Sequence, residues 1–307
     1  MRLKKMIIFG LTLIIVFLVS GCQPAAPVKI DFQKTASANQ VQEMVKTKAD
    51  YFYVGFDRRL KPSEDVKMYL PLLTYLEHQT GYKFRLRVFP QNVDIAREMG
   101  AGHVQFAIIG PLSLLQAEKY GVKNLAMGIQ ENGTSSYRAM IVSQLGSSIK
   151  TIEDLRGRTL AFGTRTSTQG YLIPRIMLAQ AGLKLSDLAS FESFQSHADA
   201  ANAVLSGQYD AAALQDTLAE KLAAQGLVKI VATSAYYPCS GVSVAPGIDP
   251  AAVAAVQKAL LKFDPQGKDR AGLYQWDNSE MPKGFGKTEG DPYAVLRPWA
   301  QKFGLLN

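Results

Sequence analysis

The chain is poor in cysteine and histidine. Of its 307 residues two are cysteine, Cys22 and Cys239, and three are histidine, His78, His103 and His197. Cys22 is accounted for by a terminal signal described below. That leaves Cys239 alone and argues against an internal disulfide. The histidines are far apart and lack metal-ligand spacing, so no metal or other cofactor is expected. No dense run of Lys and Arg with interleaved aromatics occurs, which argues against a nucleic-acid surface. The longest N-terminal apolar run, Met6 to Val19, is 14 residues, short of the roughly 20 needed to cross a bilayer.

What is present is apolar material sufficient for one large domain or two medium ones, at 47% hydrophobic and 20% charged. Such a composition folds. The net charge is +8, and removing Arg2, Lys4 and Lys5 leaves +5, a small surplus that could help to capture anions.

Residues 1–21 read as an export signal. Met1 to Lys5 is cationic, the apolar run follows, and Ser20-Gly21-Cys22 comes at once. The run Leu18-Val19-Ser20-Gly21-Cys22 resembles the lipobox of bacterial lipoproteins, with Val19 in place of the commoner leucine. That resemblance implies lipidation at Cys22, hence a membrane contact through an N-terminal lipid on the extracytoplasmic or periplasmic side. Residues 22–50 begin Cys22-Gln23-Pro24-Ala25-Ala26-Pro27 and have no sustained apolar periodicity. They are expected to form a tether, with one short helix at Ala38 to Lys46.

The remainder reads as α/β. Strands are expected at 52–56, 83–89 and 104–109, and helices at 68–79, 93–99 and 111–120. The β-α-β-α-β order implies a parallel sheet covered by helices. The order then restarts, with strands at 138–142, 159–162, 210–214 and 228–232. Helices fall between them at 151–154, 171–181 and 198–206. A strand at 241–244 and a helix at 250–263 return the chain to the first unit. The expected division is 51–142 with 235–307 as lobe I and 143–234 as lobe II. Ligands of open α/β sheets bind beyond the carboxyl ends of the strands, so the site belongs in the interlobe cleft.

The densest chemistry lies between the strand at 159–162 and the next helix. Thr164, Thr166, Ser167 and Thr168 crowd one loop, and Gly170 permits close backbone approach. Such a turn aims amides and hydroxyls at one point with the positive helix end behind them, which suits a tetrahedral oxyanion. The plainer alternative is an ordinary helix cap. Ser113 and the amide of Leu112, at a strand-to-helix turn of the first unit, could close the other side. Arg58 and Arg59 follow the first strand and are either solvated surface charge or an ion pair to the anion. Tyr137 is either a ligand contact or hinge packing. Cys239 reads as a buried inert thiol, and Trp276 and Trp299 as packing residues.

Several runs together are similar to the phosphonate and phosphite binding proteins of bacterial ABC importers. They are Gly110-Pro111-Leu112-Ser113, Ser136-Tyr137-Arg138, Asp154-Leu155-Arg156-Gly157-Arg158, Ser167-Thr168-Gln169-Gly170-Tyr171-Leu172-Ile173-Pro174, Ser196-His197-Ala198-Asp199 and Gly207-Gln208-Tyr209-Asp210-Ala211. They fall in family order over about residues 51 to 300. The run at 154–157 is shared by many binding proteins; the Ser-Thr-x-Gly run with its downstream Ser-His is more specific. The resemblance implies an α/β, two-lobed type II periplasmic-binding fold, each lobe a mostly parallel sheet flanked by helices and hinged by two crossover segments.

Together the loop, the topology and the resemblance lead us to expect a ligand site of Ser167, Thr168, Gln169, His197, Ser113, Tyr137, Thr166, Arg58 and Asp216; the resemblance implies that His197 donates to phosphorus oxygens. The implied partners are a small phosphorus-containing anion and an ABC permease, for a monomeric chain. The sequence departs from family members that take aminoethylphosphonate. Thr217 stands where an acid is expected, with only Asp216 beside it, Ser240 replaces an aspartate, and Ile109 replaces an aromatic. A smaller ligand without an amine is therefore expected: phosphite, phosphate or a simple alkylphosphonate. A subunit presenting the same anion to a kinase or chemoreceptor would look alike. An enzyme would need an activated nucleophile; Ser167 with His197 is the only pair on offer, and no Gly-x-Ser-x-Gly elbow surrounds it.

Overall fold

The computed structural model of the protein describes residues 51–59, 62–90 and 93–306. The proposed signal, Cys22 and the tether lie outside the described residues.

The strands in chain order are β1 (Phe52–Phe56), β2 (Phe84–Leu86), β3 (Phe106–Ile109), β4 (Lys123–Gly128), β5 (Ser136–Tyr137), β6 (Ala139–Gln144) and β7 (Thr159–Phe162). They continue with β8 (Ser190–Ser193), β9 (Ala211–Gln215), β10 (Val228–Thr233), β11 (Tyr237–Pro238), β12 (Gly241–Val244) and β13 (Phe285–Gly286). One sheet has the order β13-β4-β12-β3-β1-β2 and the other β10-β6-β9-β7-β8. Parallel pairing joins β2, β1 and β3 in the first and β8, β7 and β9 in the second. Each sheet is mixed with most strands running one way: β1 to β4 in the first and β7 to β10 in the second. Strand β12 runs antiparallel to both β3 and β4, β13 runs antiparallel to β4, and β6 runs antiparallel to both β9 and β10. The reason is connectivity: β12 returns from the second sheet and enters the first against the direction of its βαβ strands.

The chain passes between the sheets at β5 and again at β11, and these two short strands pair with each other. Strand β6 belongs to the second sheet. The crossover therefore falls at Ser136–Tyr137, a few residues before the boundary after residue 142 expected from sequence.

Helix Pro62–Thr80 shows how the first sheet is covered. Glu64 and Asp65 occupy its first turn, where the positive helix end favours them, and Pro71 lies within it. Its buried face carries Met68, Tyr69, Leu72, Leu73 and Leu76, each stabilising by about 1.5–3 kcal/mol on full burial. Tyr69 packs edge-on to Trp276, which also meets Phe263, so Trp276 is a core residue. In the second sheet β9 reads Ala211-Ala212-Ala213-Leu214, all fully buried. These small side chains let helix His197–Leu205 come close through Ala200, Ala201 and Val204. Trp299 packs with Phe303 on the last helix. Among the described residues no helix is long and apolar enough to cross a membrane.

Candidate functional site

Strand β7 ends at Phe162 and runs into the hydroxyl-rich loop. Ser167 caps the following turn by accepting from the Gly170 amide at 2.9 Å. That turn, Thr168–Leu172, is π-helical and leads directly into helix Ile173–Gln180. Such π-turns recur at functional sites. Pro174 explains part of the geometry. It has no N–H to give the carbonyl of Gly170, four residues back, and that carbonyl instead accepts from Gly163 at 2.9 Å. The bond draws the end of the strand against the turn. A Cβ built on Gly170 would lie 2.9 Å from the Gly163 Cα and 2.7 Å from His197 Cε1, so glycine is required.

His197 is held at the start of its helix by Ser196, whose hydroxyl accepts from the Asp199 amide at 3.0 Å. The imidazole Nδ1 accepts from the Gln215 amide at 3.2 Å. A ring that accepts at Nδ1 carries its proton on Nε2 when neutral. Nε2 lies 3.4 Å from the Ser167 hydroxyl. Burial pushes the His197 pKa down to about 4; Glu280 and a backbone hydrogen bond at Ala213 oppose the shift and Arg59 adds to it. The ring is therefore neutral near pH 7.

Ser167, Thr168, Gln169, His197, Thr166, Ser113, Tyr137 and Arg58 all line one cleft of about 390 Å³. Its walls come from both sheets, and Tyr137 sits at the hinge. Across the cleft the Leu112 amide donates to Thr168 Oγ1 at 2.9 Å. The Tyr137 hydroxyl hydrogen-bonds the same side chain, and burial holds its pKa well above the usual tyrosine range.

Three sequence expectations change. Asp216 does not line the cleft. Its carboxylate accepts from the Arg138 amide at 2.9 Å, the Thr217 amide at 2.9 Å and Gln169 Nε2 at 3.2 Å. It is a positioning group at the hinge rather than a ligand partner, and burial raises its pKa. Gln169 also donates from Nε2 to the Arg138 carbonyl at 2.8 Å, so its amide nitrogen ties the turn to the hinge. Ser113 donates its proton to Asp57 Oδ1 at 3.0 Å, which leaves that hydroxyl no donor for an anion.

Sequence reasoning missed two carboxylates on the cleft wall, Asp57 and Glu280. Asp57 accepts from the Gly110 amide at 2.8 Å and from Ser113. Glu280 pairs with Arg59 and accepts from the Ser240 hydroxyl. The cleft therefore does hold acid beside Ser240, supplied by a segment far along the chain. Asp57 adjoins the noted Arg58-Arg59 pair, and that adjacency was the available signal. Nothing in the pattern around Glu280 marked it. Among the described residues no cluster of His, Cys, Asp or Glu could hold a metal ion. Cys239 is buried and donates to the Gly128 carbonyl at 3.1 Å. Burial, and then Glu280, push its thiol up to about 12, so it is an inert packing residue.

Two α/β sheets joined by a paired double crossover, with a cleft walled by both, define a bilobal binding protein. Residues 54–291 match the family described as "ABC transporter, phosphonate, periplasmic substrate-binding protein", and the chain belongs to that family. Phosphate-import protein PhnD of Mycolicibacterium smegmatis is 29% identical over 171 residues, covering 52% of this chain and 53% of that protein. The probable ABC transporter phosphite binding protein PhnD1 of Prochlorococcus marinus is 26% identical over 162 residues, covering 52% of this chain and 50% of that protein. The chain thus spans about half the length of these curated relatives. The solved structure of Prochlorococcus marinus PhnD1 in complex with methylphosphonate superposes with a TM-score of 0.72. It is 19% identical and covers 83% of this chain and 99% of that one, a likeness of fold.

Proposed function

We propose that this chain is the extracytoplasmic solute-binding component of an ABC-type importer and captures a small phosphorus oxyanion between its lobes. Its partners on this reading are phosphite, phosphate or a simple phosphonate, and an ABC permease. It acts as a monomer, held at a membrane by lipid on Cys22. The observation that carries the reading is the convergence of Ser167, Thr168 and the His197 ring on one cleft. Ser167 accepts from Gly170 and keeps its proton to donate; Thr168 accepts from Leu112 and hydrogen-bonds Tyr137 on the cleft wall. Hydroxyl donors and a neutral imidazole N–H suit a tetrahedral oxyanion. Family membership supports the transport role, and the names of the two curated relatives support phosphate or phosphite as the class.

The same geometry disfavours catalysis. His197 Nδ1 accepts from an amide instead of donating to a carboxylate, and Asp199 is occupied by Ser196. Among the described residues no carboxylate orients the ring as a base for Ser167. The site binds and releases its ligand unchanged.

A thermal-shift panel of phosphate, phosphite, methylphosphonate, aminoethylphosphonate and sulfate tests the reading. A ligand at about a hundredfold excess over its dissociation constant stabilises by about 2.7 kcal/mol. Stabilisation by none of the phosphorus compounds overturns the proposal. The anchor has its own test: Cys22→Ser should abolish detergent-phase partitioning of the mature chain, and persistent partitioning would remove Cys22 as the lipid site.

A further inference from the structure

We propose that the outer end of the cleft binds a second acidic group, so that the preferred ligand is a phosphonate whose far end carries a carboxylate held by Arg58. The inference rests on the anion-binding reading above and names the ligand class within it.

The cleft is larger than a bare oxyanion needs. Methylphosphonate has five heavy atoms and fills at most about 150 Å³ at about 30 Å³ each, whereas the cleft encloses about 390 Å³. Strand order locates the surplus. Strands β6 and β12 follow the two crossovers, and β2 and β8 are the edge strands on the side away from them. The segments leaving β1 and β7 carry Asp57 and the hydroxyl turn. Those leaving β2 and β8 lie farther out and add Phe89, Pro90, Val93, Ile95 and Gln195 to the lining.

Arg58 belongs to this outer end. The Asp57 amide donates to the Ile108 carbonyl at 3.0 Å, which prolongs the β1–β3 pairing past Phe56. Neighbouring side chains on an extended chain point to opposite sides. Asp57 and Arg59 both face inward: Asp57 accepts from Gly110 and Ser113, and Arg59 pairs with Glu280. Arg59 is also the arginine whose charge acts on Asp57 and His197. Arg58, between them, is directed the other way and still lines the cleft. Its Nε is buried and has no hydrogen-bond partner among the described residues, an unfavourable state for a buried donor that a ligand oxygen would relieve. The other charged groups at this end are Lys119 and Asp94. Lys119 lies over the Tyr120 ring. Asp94 caps the short helix Ile95–Gly100 and accepts from the Ala96 and Arg97 amides.

The ligand class follows from this lining. A phosphonate held by the hydroxyl turn and His197 has one direction left, along its P–C bond. Towards the hinge stand Asp57 and Glu280, which repel an acid. Outward lie apolar side chains, which accept a short hydrocarbon spacer, and then Arg58. A guanidinium presents its N–H donors as a planar fork that matches both oxygens of a carboxylate. A carboxylate is therefore paired there, whereas an ammonium would be left unpaired beside a like charge.

The test is calorimetric titration of phosphonoacetate and 3-phosphonopropionate into wild type and Arg58→Gln. Ethylphosphonate and propylphosphonate, of matching carbon count, are the controls for apolar contact. In wild type at least one acid should bind about tenfold or more tightly than its alkyl match. A smaller margin for both overturns the inference and leaves the anion-binding reading standing. Arg58→Gln should reduce that preference below about threefold, chiefly by weakening the acid. A larger preference retained in this variant places the carboxylate elsewhere and overturns the inference too. Wild type that binds none of the four phosphonates overturns the anion-binding reading itself. Should Arg58→Gln fail to fold, Arg58→Lys decides in its place. An ammonium cannot fork to both oxygens, so the preference should fall several-fold, and an unchanged preference overturns the inference.

Discussion

The hydroxyl of Thr168 accepts a 2.9 Å hydrogen bond from the amide of Leu112, and the two residues start helices on different sheets. A threonine hydroxyl has one proton and two lone pairs. It accepts from Leu112 and also hydrogen-bonds the Tyr137 hydroxyl, so one oxygen joins the two sheets and the hinge at the cleft wall. Thr168→Val keeps the shape and removes the oxygen. It strands the Leu112 amide, a loss of about 1–3 kcal/mol. Calorimetry should show affinity for a phosphorus oxyanion falling by about tenfold to a hundredfold, with Thr168→Ser retaining most of it. Equal losses in both variants would point to packing instead.

Gly170 supports His197 by having no side chain. A Cβ there would lie 2.7 Å from the imidazole Cε1 and 3.0 Å from Ser167 Oγ. Gly170→Ala must displace the ring, the serine or the strand end at Gly163. We expect it to lower affinity by at least about tenfold while costing about 1–3 kcal/mol of stability, as overpacking does. Unchanged binding in a folded Gly170→Ala protein would show that the ring position does not matter.

His197 and Asp57 make opposite contributions to acid stability. His197 has a folded pKa of about 4 against an ordinary 6.5. The unfolded chain takes up that proton first, so its contribution is lost as pH falls from 6.5 towards 4. Asp57 has a folded pKa of about 6 against 3.8. The folded chain takes up that proton first, so its contribution grows as pH falls through the same window. The two largely cancel in the wild type. Relative to wild type, His197→Gln should therefore gain stability between pH 6.5 and 4, on the order of 2 kcal/mol after discounting for the open cleft. Denaturant titrations across that range measure it, and a constant difference would mean that His197 titrates normally.

The ligand's far end gives a further prediction. A carboxylate does reach Ser240, but Glu280 is already engaged by Arg59 and the Ser240 hydroxyl. An ammonium would have to displace Arg59 or remain unpaired, and burying it unpaired is unfavourable. Methylphosphonate should therefore bind about tenfold more tightly than aminoethylphosphonate. The reverse order would identify Glu280, not Asp216, as the amine's partner, and Glu280→Gln would then abolish the preference.

The parts of this site built locally were legible in the sequence. The hydroxyl cluster before Gly170, the Ser196 cap at His197 and the Gly110-Pro111 turn are each fixed by neighbours a few residues away. Strands 159–162 and 241–244 match the structure residue for residue. Strand β8, Ser190-Phe191-Glu192-Ser193, was missed because it is an edge strand with little burial and no alternation. Helix 216–224 was missed because it buries only Ala219. The long-range chemistry was also hidden. Asp216 looked like a ligand carboxylate, and only the fold reveals that Arg138 and Gln169 occupy it. Glu280 meets Arg59 across more than two hundred residues, a pairing that no local pattern encodes.

The central claim is that the turn after β7 and His197 hold a phosphorus oxyanion. Titrating methylphosphonate into wild type and the Ser167→Ala/Thr168→Ala double variant tests it most directly. Hydrogen bonds to charged groups contribute about 1.5–3 kcal/mol each, so the double variant should bind at least a hundredfold more weakly, with its circular dichroism and melting cooperativity retained. A folded double variant that binds methylphosphonate as tightly as wild type would contradict the account and place the anion elsewhere in the cleft.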